Sequence, residues 1–291
     1  MSSFRRYFRL SNLGTVIFFF LNLILLLTFF TDGFLNTEAV PTIVVAYIVT
    51  VGISLSPIGE WFLALMVGAK EIRRVDTKIR IIPLLEVVYN KAKKESPDMV
   101  NSIHLKIIHD SSPNAYALGR HTICVTDGLF ELSDDMIMGI LAHEVGHLVN
   151  HHSVLQLLIG GSNMLITGFL LLLKIIAYMI TAIFSIFAIR SRSFLAGFLI
   201  AFTGALSTIS IWLWTKFCML FLMASMRANE YVADEYARTI GFGYELVSAL
   251  DTIHMNTPSN GLLKALYSTH PDYNDRVARL QEAGVAYYRY Y

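Results

Sequence analysis

Leu141-Ala142-His143-Glu144-Val145-Gly146-His147-Leu148-Val149 is mostly apolar and contains no proline, so it reads as a buried helix. On a helix, residues i and i+4 share a face. The two imidazoles therefore lie one turn apart, the spacing at which two histidines hold one zinc ion. Glu144 falls on a neighbouring face, where it acts as a base toward a water on the metal rather than as a ligand. The alternative is a pair of surface histidines on an ordinary helix, and the flanks argue against it. Ser133 reads as the N-cap, with Asp134 and Asp135 in a first turn that favours carboxylates. Met136 to Leu141 then carries the motif into an apolar setting, where a glutamate and two histidines need a reason to be buried.

Two histidines leave zinc short of a third protein ligand. His151 and His152 follow the motif, but if the helix continues they sit a turn beyond it and read as solvated residues near a membrane surface. Glu230 is the better candidate. It lies in Asn229-Glu230-Tyr231-Val232-Ala233-Asp234, where Glu230 and Asp234 are i and i+4. Glu230 can ligate while Asp234 accepts the free N–H of a ligand histidine, fixing its tautomer. The alternative, a solvated acidic face, weakens once the two motifs are paired. Glu235 points elsewhere.

The setting is a membrane. The chain has 291 residues, of which 55% are hydrophobic and 15% charged, and its mean hydropathy is +0.54. These values lie on the membrane side of globular averages. A net charge of +1 without a basic, aromatic-interleaved stretch excludes a nucleic-acid partner. The two cysteines, Cys124 and Cys218, suggest neither a disulfide framework nor a thiolate metal site.

Arg5, Arg6 and Arg9 precede an uncharged run from Leu13 to Phe30. It is long for a signal peptide, and no small-x-small site precedes Thr31, so an uncleaved anchor with a cytoplasmic N-terminus is expected. Val40 to Ile58 is a second uncharged span, followed by a short interfacial helix from Glu60 to Ala69. Lys70 to Arg80 holds five basic and two acidic residues, which places both ends of this hairpin inside. Val154 to Ile189 and Phe194 to Met226 are apolar except for Lys174 and Lys216. As one helix the first would reach ~54 Å, so a break near Gly160-Gly161 is expected. Together these runs read as a second, inserted hairpin. Arg190 and Arg192 at its turn oppose full crossing by the positive-inside tendency, which leaves a membrane-buried, non-crossing hairpin open.

Between the hairpins, a helix is expected over Pro83–Lys94, a strand over Ile103–Ile108, and a hairpin formed by Asn114–Leu118 and Thr122–Thr126 around Gly119-Arg120-His121. Asn114 to Ala117 reads either as an edge that pairs with an extended substrate or as an internal strand. His104, His109 and His121 read as solvated. After the second hairpin, a polar helix over Arg227–Ile240 is expected to continue the last span, followed by helices over Glu245–Met255 and Gly261–Tyr267, with a last one starting at His270-Pro271. The domain plan is thus residues 1–69 as an N-terminal membrane hairpin with its interfacial helix (spans about 11–30 and 40–58), 70–153 with 223–291 as the metal-binding domain, and 154–222 as the insert. The fold class is a mainly α integral membrane protein with four transmembrane helices in two hairpins and an α+β domain with a small sheet.

The combination of His143-Glu144-x-x-His147, a following membrane hairpin, Asn229-Glu230-Tyr231-x-Ala233-Asp234, Pro113-Asn114-Ala115-Tyr116-Ala117 and His270-Pro271 resembles the HtpX-like membrane zinc metalloproteases of the gluzincin clan. The resemblance implies a zincin-like catalytic domain with one zinc ion per subunit, held by His143, His147 and Glu230. Glu144 would be the base and Asp234 would support a ligand. His270 and Arg276 match a His-Pro-x4-Arg element, which implies substrate or oxyanion contacts, and Asn114, Ala115 and Tyr116 would bind substrate. It further implies a multi-pass protein of a bacterial inner membrane with a cytoplasmic site. Its partners would be the lipid bilayer and polypeptide substrates, membrane proteins among them, in quality control of misfolded or damaged chains. The Leu118–Val125 segment departs from the pattern by being short. Three rivals remain. A non-proteolytic zinc adaptor would leave Glu144 without a role. A transporter would need paired charges in its spans. A CAAX-type processing protease would need more spans.

Overall fold

The computed structural model describes residues 12–30, 38, 40–155, 157–159, 168, 172, 175–176, 179, 182–183, 194–256 and 272–288. The arginine-rich start, the Arg190–Arg192 turn, the Gly261–Tyr267 helix and His270-Pro271 lie outside the described residues, as does most of Val154–Ile189.

The described elements are, in order, α1 (Leu13–Phe30), α2 (Val40–Ser54), α3 (Pro57–Met66), β1 (Lys70–Glu71), α4 (Val75–Glu95), β2 (His104–Ile108), β3 (Ala115–Leu118), β4 (Thr122–Thr126), a 3-10 turn (Asp127–Glu131), α5 (Asp134–Val149), α6 (Phe194–Thr239), α7 (Gly243–Asn256) and α8 (Tyr273–Glu282). The protein is thus mostly helical with one small mixed sheet. Among the described residues no single helix is long and apolar enough to cross a membrane; Leu13–Thr28 is a shorter apolar helix, and α2 and α3 pass only as a pair bent by 69°.

The sheet order is β1-β2-β4-β3. β2 and β4 run parallel with Leu105 opposite Ile123, and β3 closes back antiparallel on β4 with Tyr116 opposite Cys124. β3 is therefore an edge strand. The tight return at Gly119 requires a φ of +64°, which glycine adopts without the steric cost of a side chain.

One helix organises the core. Ser133 caps α5 as expected, its hydroxyl accepting the Met136 N–H. From Gly139 to Val149 every residue of α5 is buried, so the helix has no solvent face and must be covered all round. Ile137, Leu141 and Val145 join Ile123 and Val125 of the sheet, Val88 of α4 and Leu246 and Val247 of α7 in a single cluster. Arg80 fastens α4 to the start of α5 through the Phe130 and Leu132 carbonyls at 2.6 and 2.7 Å and the Asp134 carboxylate at 2.9 Å.

The structure differs from expectation at the start of α4. α4 begins at Val75 and carries Pro83 inside it rather than at its start. Ile81, Leu85, Val88 and Ala92 form one buried stripe. Burying Ile81 draws the helix upstream past a proline whose missing N–H is otherwise disfavoured. The helix over Arg227–Ile240 continues the preceding apolar run as expected, as the end of α6, which runs unbroken from Phe194 to Thr239.

α5 meets α7 at Gly139. A Cβ there would lie 2.4 Å from the Leu246 nitrogen and 2.5 Å from the Glu245 carbonyl carbon, both backbone atoms that cannot turn away. Gly139→Ala should therefore cost about 1–3 kcal/mol, read as a lower thermal midpoint in detergent. Gly52→Ala, whose Cβ would meet nothing within 4 Å, should leave the midpoint unchanged. Equal midpoints for the two variants would contradict the packing described.

Candidate metal centre

α5 and α6 cross where both lack bulk. A Cβ on Gly146 would sit 3.0 Å from the Ala233 carbonyl oxygen and 3.1 Å from its Cα. That close approach brings the face of α5 carrying His143 and His147 against the face of α6 carrying Glu230 and Asp234. All four are buried.

The two imidazoles turn their Nε2 atoms toward each other, 3.1 Å apart. Glu230 completes the triangle, with Oε2 3.5 Å from His143 Nε2 and Oε1 3.2 Å from His147 Nε2. One ligand atom from each residue lies within 4.8 Å of the others, so the three are positioned to bind a metal ion. The fit to zinc can be tested by geometry. A tetrahedral site with bonds near 2.0–2.1 Å has edges of about 3.3 Å, and the three separations scatter around that value.

The outward Nδ1 atoms are also engaged. His143 Nδ1 faces Asp234 Oδ1 at 2.8 Å. Arg276 of α8 grips that carboxylate with two hydrogen bonds, Nε to Oδ2 at 2.8 Å and Nη2 to Oδ1 at 2.6 Å. Its Nη1 lies 3.5 Å from Glu230 Oε2. The resemblance implies substrate or oxyanion contacts for Arg276; the side chain lies buried behind the ligand triangle, with donors directed to Asp234 and Glu230. α8 is set for this by its Asp272 N-cap and by Asp251 of α7, which accepts the hydroxyls of Tyr273 and, at 3.0 Å, Tyr287.

His147 Nδ1 faces His152 Nδ1 at 3.0 Å. The expectation of solvated histidines after the motif is thus corrected for His152, which is 3% exposed. The reason is local. α5 ends at Val149, and His151 takes a φ of 60°, in the left-handed region. That reversal folds His152 back onto His147 rather than carrying it one turn onward.

Electrostatically the cluster favours a cation. Three buried carboxylates, Glu144, Glu230 and Asp234, face one guanidinium, that of Arg276, leaving an excess of negative charge that a divalent ion offsets. Burial opposes protonation of His143. Hydrogen bonds and charge from Asp234 and Glu230 outweigh it and raise its pKa from 6.5 to about 10. Burial also acts against the Asp234 anion, but Arg276 and then His143 outweigh it and hold that carboxyl below the ordinary range.

Glu144 faces the sheet. Its Oε2 accepts the Ala117 N–H at 2.6 Å, so the expected base touches the edge strand directly. Along β3, Ala115 and Ala117 are buried and Tyr116 is exposed. Asn114 Nδ2 donates to the Tyr116 hydroxyl at 2.7 Å. His104, His109 and His121 are exposed, as expected, and His109 pairs with Asp127 at 2.9 Å. Three features escaped sequence reading: His152 against His147, the Ala117 N–H on Glu144, and a carboxylate, Glu60 of α3, bound to the β3–β4 turn. Only His152 had a signal, as a histidine just past the motif, and it becomes readable once the helix is known to stop.

Residues 83–284 match peptidase family M48. Relatives include the protease HtpX homologs of Salinibacter ruber, 26% identical with 81% of this chain and 86% of that protein covered, and of Halobacterium salinarum, 26% identical with 92% and 98% covered. The homolog from Desulforapulum autotrophicum is 34% identical over 60% of this chain and 61% of its own length. The crystal structure of S. mikatae Ste24p aligns with a TM-score of 0.45 at 19% identity, spanning 95% of this chain and 64% of that one. The chain belongs to peptidase family M48, among its HtpX-like membrane zinc metalloproteases.

Proposed function

We propose that this protein is an endopeptidase of the bacterial inner membrane that cleaves misfolded or damaged membrane proteins at a cytoplasmic site, with His143, His147 and Glu230 as its zinc ligands. The observation that carries this reading is the junction of Glu144 with the edge strand at Ala117, beside the ligand triangle. Zinc held there supplies Lewis acidity toward water and toward a peptide carbonyl. Glu144 takes the proton of the attacking water and delivers it to the leaving amine. An extended substrate adds to the free side of β3, guided by Asn114, Ala115 and Tyr116, with backbone hydrogen bonds setting its register. Asp234 fixes the tautomer of His143, and Arg276 holds Asp234 charged and in place. His270 and the His-Pro element remain assigned to the substrate side by the family resemblance.

The topology follows the domain plan: residues 1–69 form the first hairpin, 154–222 the inserted one, and 70–153 with 223–291 the protease domain. Contacts at both ends of the first hairpin support it. At the start of α1, Thr15 bonds Ser225 at 3.0 Å and Asn229 donates to Asn12 at 3.1 Å, just before Glu230 on α6. After α2, Glu60 of α3 reaches the sheet. Both ends of the hairpin therefore lie at the protease domain. The apolar residues Ile58, Trp61, Leu65 and Met66 of α3 are exposed, as suits a helix lying in the lipid interface.

Two outcomes test the assignment. In zinc-loaded full chain, Glu144→Gln should lower kcat/KM on an unfolded test protein by roughly 10²–10⁴-fold while retaining one zinc; full activity in that variant would refute the role of Glu144. Asp234→Asn keeps an acceptor for His143 but removes the charge that anchors Arg276. It should weaken zinc binding about 10–100-fold in chelator competition, with unchanged circular dichroism, and an affinity equal to wild type would refute the support role.

A further inference from the structure

We propose that Glu60 is a positioning residue for substrate binding: its carboxylate, carried on the membrane-side helix α3, clamps the β3–β4 turn and so sets where the substrate-pairing edge of β3 stands relative to Glu144. This rests on the reading of β3 as the substrate strand.

Glu60 lies far from the ligand triangle in sequence and touches none of its residues. Its Oε1 accepts the Thr122 hydroxyl at 2.7 Å, and its Oε2 accepts the Arg120 N–H at 3.2 Å. These two donors straddle the return between β3 and β4. The residue between β3 and Arg120 is Gly119, and a Cβ there would lie 2.4 Å from the Glu60 carboxylate carbon and from Oε2. The turn is thus shaped around the carboxylate. Its other side is held by Ser153, whose hydroxyl donates to the Gly119 carbonyl at 2.6 Å. Ser153 directly precedes the apolar run that begins at Val154. The three-residue return Gly119-Arg120-His121 is thus held from two sides, by α3 and by the segment that follows α5.

Below the clamp, Ala64 of α3 packs with Leu118 at the end of β3 and Cys124 of β4, so α3 and the hairpin share a small apolar contact. β3 has only four residues and, among the described residues, pairs on one side alone. A strand that short is oriented by its turn, and the Ala117 N–H on Glu144 is two residues from the clamped glycine. Tilting the turn moves both the pairing edge and its contact with the base. Loosening the turn weakens strand pairing with an extended substrate while leaving the ligand helices in place, so a polar clamp at this point has a purpose beyond stability.

The test uses the full chain in detergent with zinc bound, comparing wild type, Glu60→Ala, Glu60→Gln, Gly119→Ala and the Glu60→Ala/Gly119→Ala double variant. Amide hydrogen exchange across residues 115–122 should quicken about tenfold in Glu60→Ala, with α5 unchanged. KM for a peptide substrate should rise about fivefold or more, with kcat within about twofold and zinc content unaltered. Gly119→Ala displaces the same carboxylate and also strains the left-handed backbone, so its effect should be at least as large as that of Glu60→Ala, and the double variant should be no worse than Gly119→Ala alone. Glu60→Gln, which keeps one acceptor oxygen, should fall between wild type and Glu60→Ala. Unchanged exchange and KM in Glu60→Ala would overturn the proposal. So would a joint fall of kcat, zinc content and thermal midpoint, which would make Glu60 a general stabiliser. If the wild-type chain cleaved nothing, the protease reading would fall, while the exchange of residues 115–122 would still decide whether Glu60 holds the turn.

Discussion

Glu230 reaches His143 and His147 only because α6 can lie against α5 at Gly146, where the Ala233 backbone fills the space a side chain would need. The rest of the structure depends on that contact. Helix α5 is buried on every side, so α6 approaches it as one wall of a packed core, and interiors packed to crystal-like density hold such a wall to fractions of an ångström. The ligand triangle inherits its spacing from this helix crossing. Among the described residues, its three side chains all come from helices and none is a cysteine.

The charges are arranged in layers outward from the triangle. Asp234 lies behind His143, and Arg276 behind Asp234. Burying this many ionised groups is costly unless each is paired and hydrogen-bonded. The bidentate Arg276–Asp234 pair supplies that pairing, and His152 takes the corresponding place behind His147. Each ligand histidine is thereby oriented by a different chemistry, one by a charged carboxylate and one by a second imidazole. α8, which brings Arg276, is tied to α7 through Asp251, so the C-terminal helix is part of the metal site although it offers no ligand.

What could be read in the sequence was what a single element carries. Ser133 as N-cap, the i and i+4 pairs His143/His147 and Glu230/Asp234, and the β3–β4 hairpin around Gly119 all follow from periodicity and turn chemistry within a dozen residues. Where the outcome depended on a distant element, the sequence was silent or misleading. Pro83 looked like a helix start because the burial of Ile81 upstream was invisible. Arg276 looked free to meet substrate because its partner Asp234 is 42 residues away. His152 looked solvated because nothing local announces the left-handed turn at His151. The edge position of β3 was left open because strand order is a tertiary fact, set by β2 pairing parallel to β4.

The proposed third ligand is Glu230 of α6, from across the inserted segment, and not one of the histidines that follow the motif. X-ray absorption at the zinc edge of the zinc-loaded full chain tests this most directly. The structure predicts two imidazoles, with the remaining scatterers oxygen at about 2.0–2.2 Å and no sulfur. A third imidazole in that shell would place His151 or His152 on the metal and rule out Glu230 as the third ligand.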